Sequence, residues 1–292
     1  MKDSDQIRSG FKNMSRSRAV VCGLARDCSR TLPHLIQKLE QLGACFSDCR
    51  YIVVENDSRD QTAHMLNDWA VRNRAVNLIS FSLLPEPDGG PASPVGLAGD
   101  YTRARISRMA FARNLYLDRL SEWSNFDVVI IVDLDIHDFS LSGIAHSFGT
   151  DAAWDCMASF SRRWTPRRPF RRSVYWDTFA YEPEAGFEAG RQTYRNLRKA
   201  HVSLAGLLAK TTPLPAKSAF GGLAIYQAHC LDGARYAVLD NASKDIPVLC
   251  EHVAFHRAIR ERMPFELMIN ARQSVLYERF GSILKRLLRI SS

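Results

Sequence analysis

The stretch VVIIVDLD, Val128 to Asp135, is an apolar run that ends in two aspartates, Asp133 and Asp135, with Leu134 between them. A short unbroken apolar run of this kind reads as a strand buried on both faces, with the carboxylates at its exit. In an extended chain residues i and i+2 share a side, so the two acids converge while Leu134 faces away. Neighbouring anions repel, and a divalent cation relieves the repulsion. Hard cations such as Mg²⁺ and Mn²⁺ take oxygen ligands and retain waters and substrate phosphates, so so sparse a carboxylate site suits a metal–diphosphate substrate. The plainer alternative is a strand end whose acids cap a turn or meet water.

Working outward, Ala19 to Leu24 is a first apolar strand, followed by polar ARDCSRT and a helix carrying Leu35, Ile36, Leu39 and Leu42. Tyr51 to Val54 is a second strand, broken by ENDSRDQT, where Ser58 or Asp60 can cap a helix with Met65, Leu66 and Trp69. Val76 to Phe81 is a third. A Pro- and Gly-rich loop then leads to a long helix over Arg103 to Trp123, which feeds the strand ending in DLD. Strands alternating with helices imply an α/β fold with a mostly parallel sheet covered by helices on both faces, whose ligands sit at the carboxyl ends of the strands. Arg26 and Asp27, the ENDS segment, and DLD all fall at such ends.

Beyond residue 150 the pattern is less regular. Trp154 to Phe160, Ser173 to Ala180 and Ala219 to Tyr226 read as strands, the last entered through Gly221-Gly222; Ala189 to Ala200 and CEHVAFHRAI read as helices. The expected division is a polar N-terminal extension (1–18), a nucleotide half (19–150), an acceptor half of the same domain (151–270) and a basic amphipathic C-terminal helix (271–292). In that tail Ile283, Leu284, Leu287 and Leu288 oppose Lys285, Arg286 and Arg289, a pattern that can lie on an anionic membrane surface.

The chain of 292 residues is 46% hydrophobic, enough for a full core, and no stretch is long and apolar enough to span a bilayer. The N-terminus is too polar for a secretory signal, so the expected location is cytoplasmic, with the tail at the inner face of a membrane. Seven scattered cysteines without a CxxC pair read as reduced core thiols. The net charge of +8 concentrates in SRRWTPRRPFRR (residues 161–172) and in the tail, favouring polyanionic partners.

Six segments, VVENDSRDQT, RMAFARN, DVVIIVDLD, VYWDTFA, FGGLAIY and CEHVAFH, resemble in order and spacing a glycosyltransferase of the GT-A fold, and within it the fungal capsule-associated mannosyltransferases. The resemblance implies a Rossmann-like nucleotide-diphospho-sugar transferase that uses Mn²⁺ or Mg²⁺, has GDP-mannose as donor, and acts on a glycan or lipid-linked acceptor in polysaccharide or glycoconjugate biosynthesis. Under it, Asp135 is a direct metal ligand, Asp133 helps the metal or the ribose, and Arg26, Glu55, Asn56 and Asp57 bind the nucleotide. Arg113 suits a phosphate through its planar fork, whereas Arg103, Arg105 and Arg108 read as exposed helical residues. Glu251 and Asp177 are the candidate catalytic acids. His256 is the candidate remaining metal ligand, with His252 close behind. Tyr175 and Trp176 could stack on a sugar. Asp57 stands where the fold often has a small turn residue.

Two other classes compete. A nucleotidyltransferase shares the metal–nucleotide logic but needs a glycine-rich phosphate loop, and GLARDCSRT has one glycine and no lysine. A nucleic-acid binder could use the basic segments, although no standard motif is present.

Overall fold

The computed structural model describes residues 2–82, 101–164, 173–209 and 212–278. The arginine-rich residues 165–172 and the amphipathic pattern of 279–292 lie outside them. The alternation legible in the first half yields β1 (Arg18–Ala25), α2 (Leu32–Gly43), β2 (Asp48–Asn56), α3 (Thr62–Arg72), β3 (Val76–Phe81), α4 (Arg103–Ser121) and β4 (Val128–Asp133), preceded by α1 (Asp3–Met14). The later elements are β5 (Asp138–Phe139), α5 (Leu141–Phe148), β6 (Cys156–Trp164), β7 (Ser173–Tyr175), β8 (Glu182–Pro183), α6 (Tyr194–Leu208), β9 (Leu214–Ser218), β10 (Leu223–Gln227), α7 (Glu251–Arg262) and β11 (Leu267–Glu278).

One sheet runs in the order β3-β2-β1-β4-β10-β6-β11-β9-β8. β3, β2, β1 and β4 are parallel, as the βα alternation requires. β10 is antiparallel to both β4 and β6, while β11 returns parallel to β6. The α/β sheet is therefore uniformly parallel across β3-β2-β1-β4 and mixed beyond β4.

Both faces are covered, which is why β4 is apolar throughout. Val129 and Ile131 join Val20, Cys22 and Ile52 under α4 and α7. Val128, Ile130 and Val132 join Val21, Leu35, Leu39 and Trp69 under α2 and α3. Among the described residues, no helix is long and apolar enough to cross a membrane.

Two expectations at the ends change. The polar N-terminal extension is in fact helix α1, seated on α5 so closely that a Cβ on Gly10 would lie 1.6 Å from the Ala145 carbonyl oxygen. The segment from residue 271 begins not as a helix but as the second half of β11, where Gln273 and Val275 alternate inward. The buried side chain of Gln273 explains the strand: its Nε2 donates to the Met157 carbonyl at 3.0 Å and to Ser159 Oγ at 2.9 Å, while its Oε1 accepts from Ser147 Oγ at 2.6 Å.

The docking of α1 makes a sign prediction. On an undocked helix, Gly10→Ala would stabilise by about 1 kcal/mol; against the Ala145 carbonyl it overpacks and should destabilise by about 1–3 kcal/mol. A lowered thermal midpoint is expected, and a raised one would show that α1 does not pack as described.

Candidate active site

β4 ends at Asp133, whose N–H donates to the Gly222 carbonyl at 3.0 Å, and Asp135 follows with Leu134 buried between them. Facing this exit is Arg113 on α4. The core stripe of α4 runs Ile106, Ala110, Leu117 and Leu120, and Arg113 sits in its middle, 1% exposed. Its Nη2 donates to Asp133 Oδ1 at 2.9 Å and its Nε to Glu251 Oε1 at 3.1 Å, so one guanidinium ties α4, β4 and the first residue of α7 together. The Phe220 and Tyr236 rings lie 5.2 and 5.7 Å from it. Among the described residues, Nη1 has no hydrogen-bond partner.

Asp177, after β7, completes the group. Its Oδ2 accepts the Gly221 N–H at 2.9 Å, and its own N–H donates to Ser161 Oγ at 2.9 Å. Gly221 and Gly222 have φ of 72° and 81°. A Cβ on Gly221 would lie 2.0 Å from the Ser159 carbonyl oxygen, and one on Gly222 2.6 Å from Tyr277 Oη. Only glycine passes at this turn, which carries the main chain between Asp177 and Asp133.

Charge is unbalanced here. Desolvation pushes the carboxyl of Asp177 up to about 7, with Asp133 and Glu251 adding to it and the Gly221 N–H opposing. Asp135 is pushed up to about 6 by desolvation and then by Asp133. Because Asp135 is open to solvent, water screens the first of these causes, and the repulsion from Asp133 is the part that a ligand can relieve. The Arg113–Asp133 pair looks different from its two ends. Burial works against the charge on Arg113 but Asp133, Tyr116 and Glu251 outweigh it, whereas Asp133 remains shifted up by desolvation despite Arg113. The count of charges reconciles them: Arg113 is shared among several acids, and Asp133 and Asp135 also feel Arg105. Four acids (Asp133, Asp135, Asp177, Glu251) against those two arginines leave a formal charge of −2, which one divalent cation neutralises. The hard oxygen donors fit Mn²⁺ or Mg²⁺, and the orphaned, buried Nη1 of Arg113 fits a phosphate oxygen.

The histidines have other roles. His256 cannot serve as the remaining metal ligand: it is fully buried, with Nδ1 2.8 Å from Ser218 Oγ and Nε2 2.8 Å from Tyr226 Oη. Both nitrogens are engaged, and burial lowers its pKa to about 3, so it is neutral. His252, one turn away, stacks on Phe220 with ring centroids 3.9 Å apart; among the described residues neither of its nitrogens has a hydrogen-bond partner, and Nε2 lies 3.9 Å from Glu251 Oε1. Burial and then Arg113 hold it neutral.

Arg26, Glu55, Asn56 and Asp57 form a second group at the adjoining ends of β1 and β2, where Ala25 pairs with Glu55. Glu55 is buried and its Oε1 accepts the Ser58 N–H at 2.9 Å; Asn56 Nδ2 donates to Asp57 Oδ2 at 3.3 Å; and Asp57 has φ of 46°, the conformation for which a small residue is usual. Arg26 is exposed, 3.8 Å from Asp27 Oδ2. The two loops interlock. The N–H groups of Asp27, Cys28 and Ser29 donate to Ser58 Oγ, Thr62 Oγ1 and Asp60 Oδ2 at 3.2, 2.8 and 3.0 Å, and the Arg59 N–H returns to Asp27 Oδ1 at 2.7 Å. Asp135 acts electrostatically on Cys28, which places this rim beside the acid cluster.

Tyr277 escaped the sequence reading, and Arg105, read there as an exposed helical residue, is only partly exposed and acts on Asp133 and Asp135. Tyr277 is in the field of Asp133, Asp177 and Asp135, but its segment had been assigned to a helix. A simple alternation does not reach it: the register shift between Asn270 and Ser274 leaves Leu267 and Ile269 in one core and Val275 and Tyr277 in the other. Tyr175, in contrast, is entirely core, while Trp176 is partly exposed.

Among solved structures, the chain is similar to the mannosyltransferase PcManGT from Pyrobaculum calidifontis in complex with GDP-Man and Mn²⁺, at 12% identity and TM-score 0.49 over 95% of this chain and 62% of that one. It is similar to S. aureus TarS 1-349 in complex with UDP-GlcNAc, at 15% identity and TM-score 0.43 over 90% of this chain and 59% of that one. For GalNAc-T7 with UDP, GalNAc and Mn²⁺ the values are 13% and 0.42 over 91% and 45%. The chain thus spans less than two thirds of the length of each. No curated protein matches it in sequence. The profile of the family described as Cryptococcal mannosyltransferase 1 matches residues 18–265. That span contains every acid of the cluster and its arginine, and on this match the chain belongs to the cryptococcal mannosyltransferase 1 family.

Proposed function

We propose that this protein is a metal-dependent glycosyltransferase that moves a hexose, mannose by its family, from a nucleoside-diphosphate sugar to a hydroxyl of a glycan or lipid-linked acceptor. The observation that carries the reading is the cluster of four acids around one buried arginine with an unused donor, at the carboxyl end of β4.

Asp135 and Asp133 would hold the cation, which when bound supplies Lewis-acid stabilisation of the diphosphate leaving group. Arg113 offers Nη1 to a phosphate oxygen and, being fixed by two carboxylates, needs no reorganisation as charge develops there. Of the two candidate catalytic acids, Asp177 suits proton transfer better. Glu251 is committed to Arg113, whereas Asp177, raised to about 7, can take the proton of an acceptor hydroxyl near neutral pH. The rim formed by Arg26, Glu55, Asn56 and Asp57 would receive the base and ribose. The N–H groups of Asp27, Cys28 and Ser29 are consumed by side chains of the next loop, so that turn offers no anion nest for a triphosphate, which favours sugar transfer over nucleotidyl transfer.

For the acceptor we propose the cavity that begins at Thr178, next to Asp177. It has a volume of about 390 Å³, in the range of small-molecule sites, and is lined by Tyr181, Phe187, Glu188, Gln192 and Asn196 among others. Gln192 is fully buried, and among the described residues its Oε1 has no hydrogen-bond partner, which suits it to accept from a hydroxyl, while the aromatic rings can pack on a sugar face.

Asp135→Asn should remove Mn²⁺-dependent binding of GDP or GDP-mannose in calorimetry and lower turnover roughly 10²–10³-fold, the usual cost of losing one preorganised electrostatic group, with the thermal midpoint of the metal-free protein kept. Metal-dependent binding that survives in this variant would overturn the assignment.

Asp177 makes a pH prediction for metal-free protein. Its carboxyl titrates near 7 when folded and near 3.8 when unfolded, so in that window the folded state holds a proton that the unfolded state has released. Its contribution therefore falls as pH rises from about 4 to about 7. Asp177→Asn should remove that part of the decline in denaturant midpoint; an unchanged pH profile would mean that Asp177 titrates normally.

A further inference from the structure

We infer that Asp155, His229 and Cys230 form a second metal site, separate from the acid cluster, that takes a borderline transition ion of the Zn²⁺ class. Asp155 immediately precedes β6, and His229 and Cys230 lie in the single turn of 3₁₀ helix, Ala228–Leu231, that follows β10. Gln227, the last residue of β10, pairs with Val128 at the start of β4. The site is therefore at the opposite end of β4 from Asp133, five residues and about 17 Å away along the strand.

The geometry is that of a metal centre. Oδ1 of Asp155 lies 3.5 Å and Sγ of Cys230 lies 3.4 Å from the same atom, Nε2 of His229, and all three donors fall within 4.8 Å of one another. Zinc bonds of roughly 2.0–2.3 Å in tetrahedral array set neighbouring ligand atoms roughly 3.3–3.6 Å apart, and both separations to Nε2 fall there. A nucleophilic triad would place acid and thiol on opposite imidazole nitrogens; here both face one nitrogen, so the donors converge on a point instead of relaying a proton.

The supports and the route inward are also present. Oδ2 of Asp155 accepts the Glu266 N–H at 2.8 Å, which orients the carboxylate, and the Asp155 carbonyl accepts the Gln227 N–H at 2.8 Å, which fixes the two segments against each other. Cys230 is fully buried, Asp155 is 22% exposed and His229 is 61% exposed, so an ion enters from the histidine side and a water can complete its shell. One thiol, one imidazole and one carboxylate form a softer set than the all-oxygen cluster, which selects Zn²⁺ over Mg²⁺ or Mn²⁺. Binding forms the Sγ–metal bond and breaks the S–H bond of Cys230, whose proton leaves to solvent.

The test is a Co²⁺ titration of the metal-free full chain carrying Asp135→Asn, which silences the first cluster and leaves the Arg113–Asp133 pair in place, followed by visible and near-ultraviolet absorption. The expected result is a tetrahedral, thiolate-bound Co²⁺ spectrum that saturates at one equivalent, is displaced by Zn²⁺, and is lost in Cys230→Ser and in His229→Ala. His229 is exposed, so its replacement leaves the fold intact, and a matching thermal midpoint of the metal-free variant checks this. Absence of the thiolate band, or its persistence at full intensity in His229→Ala, overturns the site. Neither outcome bears on the transferase assignment, because the first cluster is silenced throughout.

Discussion

One guanidinium, buried and shared, is the constraint on which the rest depends. An unpaired arginine at that depth would cost several kcal/mol, and removing either carboxylate partner typically costs about 3–5 kcal/mol. Arg113 therefore dictates that β4 ends in an acid and that α7 begins with one, since Asp133 and Glu251 are the groups it binds. The same contacts bring α4, β4 and α7 to one point from distant parts of the chain. Once they are there, the acids outnumber the base, and what is neutralised for folding is left electronegative for binding.

Unsatisfied polar atoms mark the same place. Natural interiors pair most of their buried polar groups, yet among the described residues Nη1 of Arg113 and both nitrogens of His252 have no hydrogen-bond partner, and both side chains lie against Glu251. Local rules give way here in other respects too: an arginine interrupts an apolar stripe, two successive glycines take positive φ, and Asp57 adopts the left-handed region. Such departures concentrate where a fold gives up stability for function.

The first half was legible because its signals are local and repeated. Strands β1, β2 and β4 are apolar on both faces, α2 has its leucines at helical spacing, and acids follow the strands where a parallel sheet presents its ligands. Arg113 was legible through the RMAFARN segment and the planar fork of its guanidinium, while its burial within the stripe of Ile106, Ala110, Leu117 and Leu120 came only with the structure. The histidines were not. Helical spacing places His252 and His256 on one face of α7, but only tertiary structure shows that this face turns toward Ser218 and Tyr226. β11 was hidden by its polar interior: Asn270, Gln273 and their partners Ser147 and Ser159 form a buried hydrogen-bonded network in which amides replace the apolar residues a strand usually announces.

β11 also governs how the chain can reach this state. It is the last of the described strands in sequence, yet it lies inside the sheet between β6 and β9 rather than at an edge. During synthesis every other described strand emerges first, and the facing edges of β6 and β9 must wait with unpaired main-chain groups until β11 arrives between them. Such long-range closure is slow and leaves interior edges open to foreign strands. The span matched by the family profile stops at residue 265, just short of β11, so that span by itself is a sheet with a gap in its middle, and closing the gap depends on the strand that follows it.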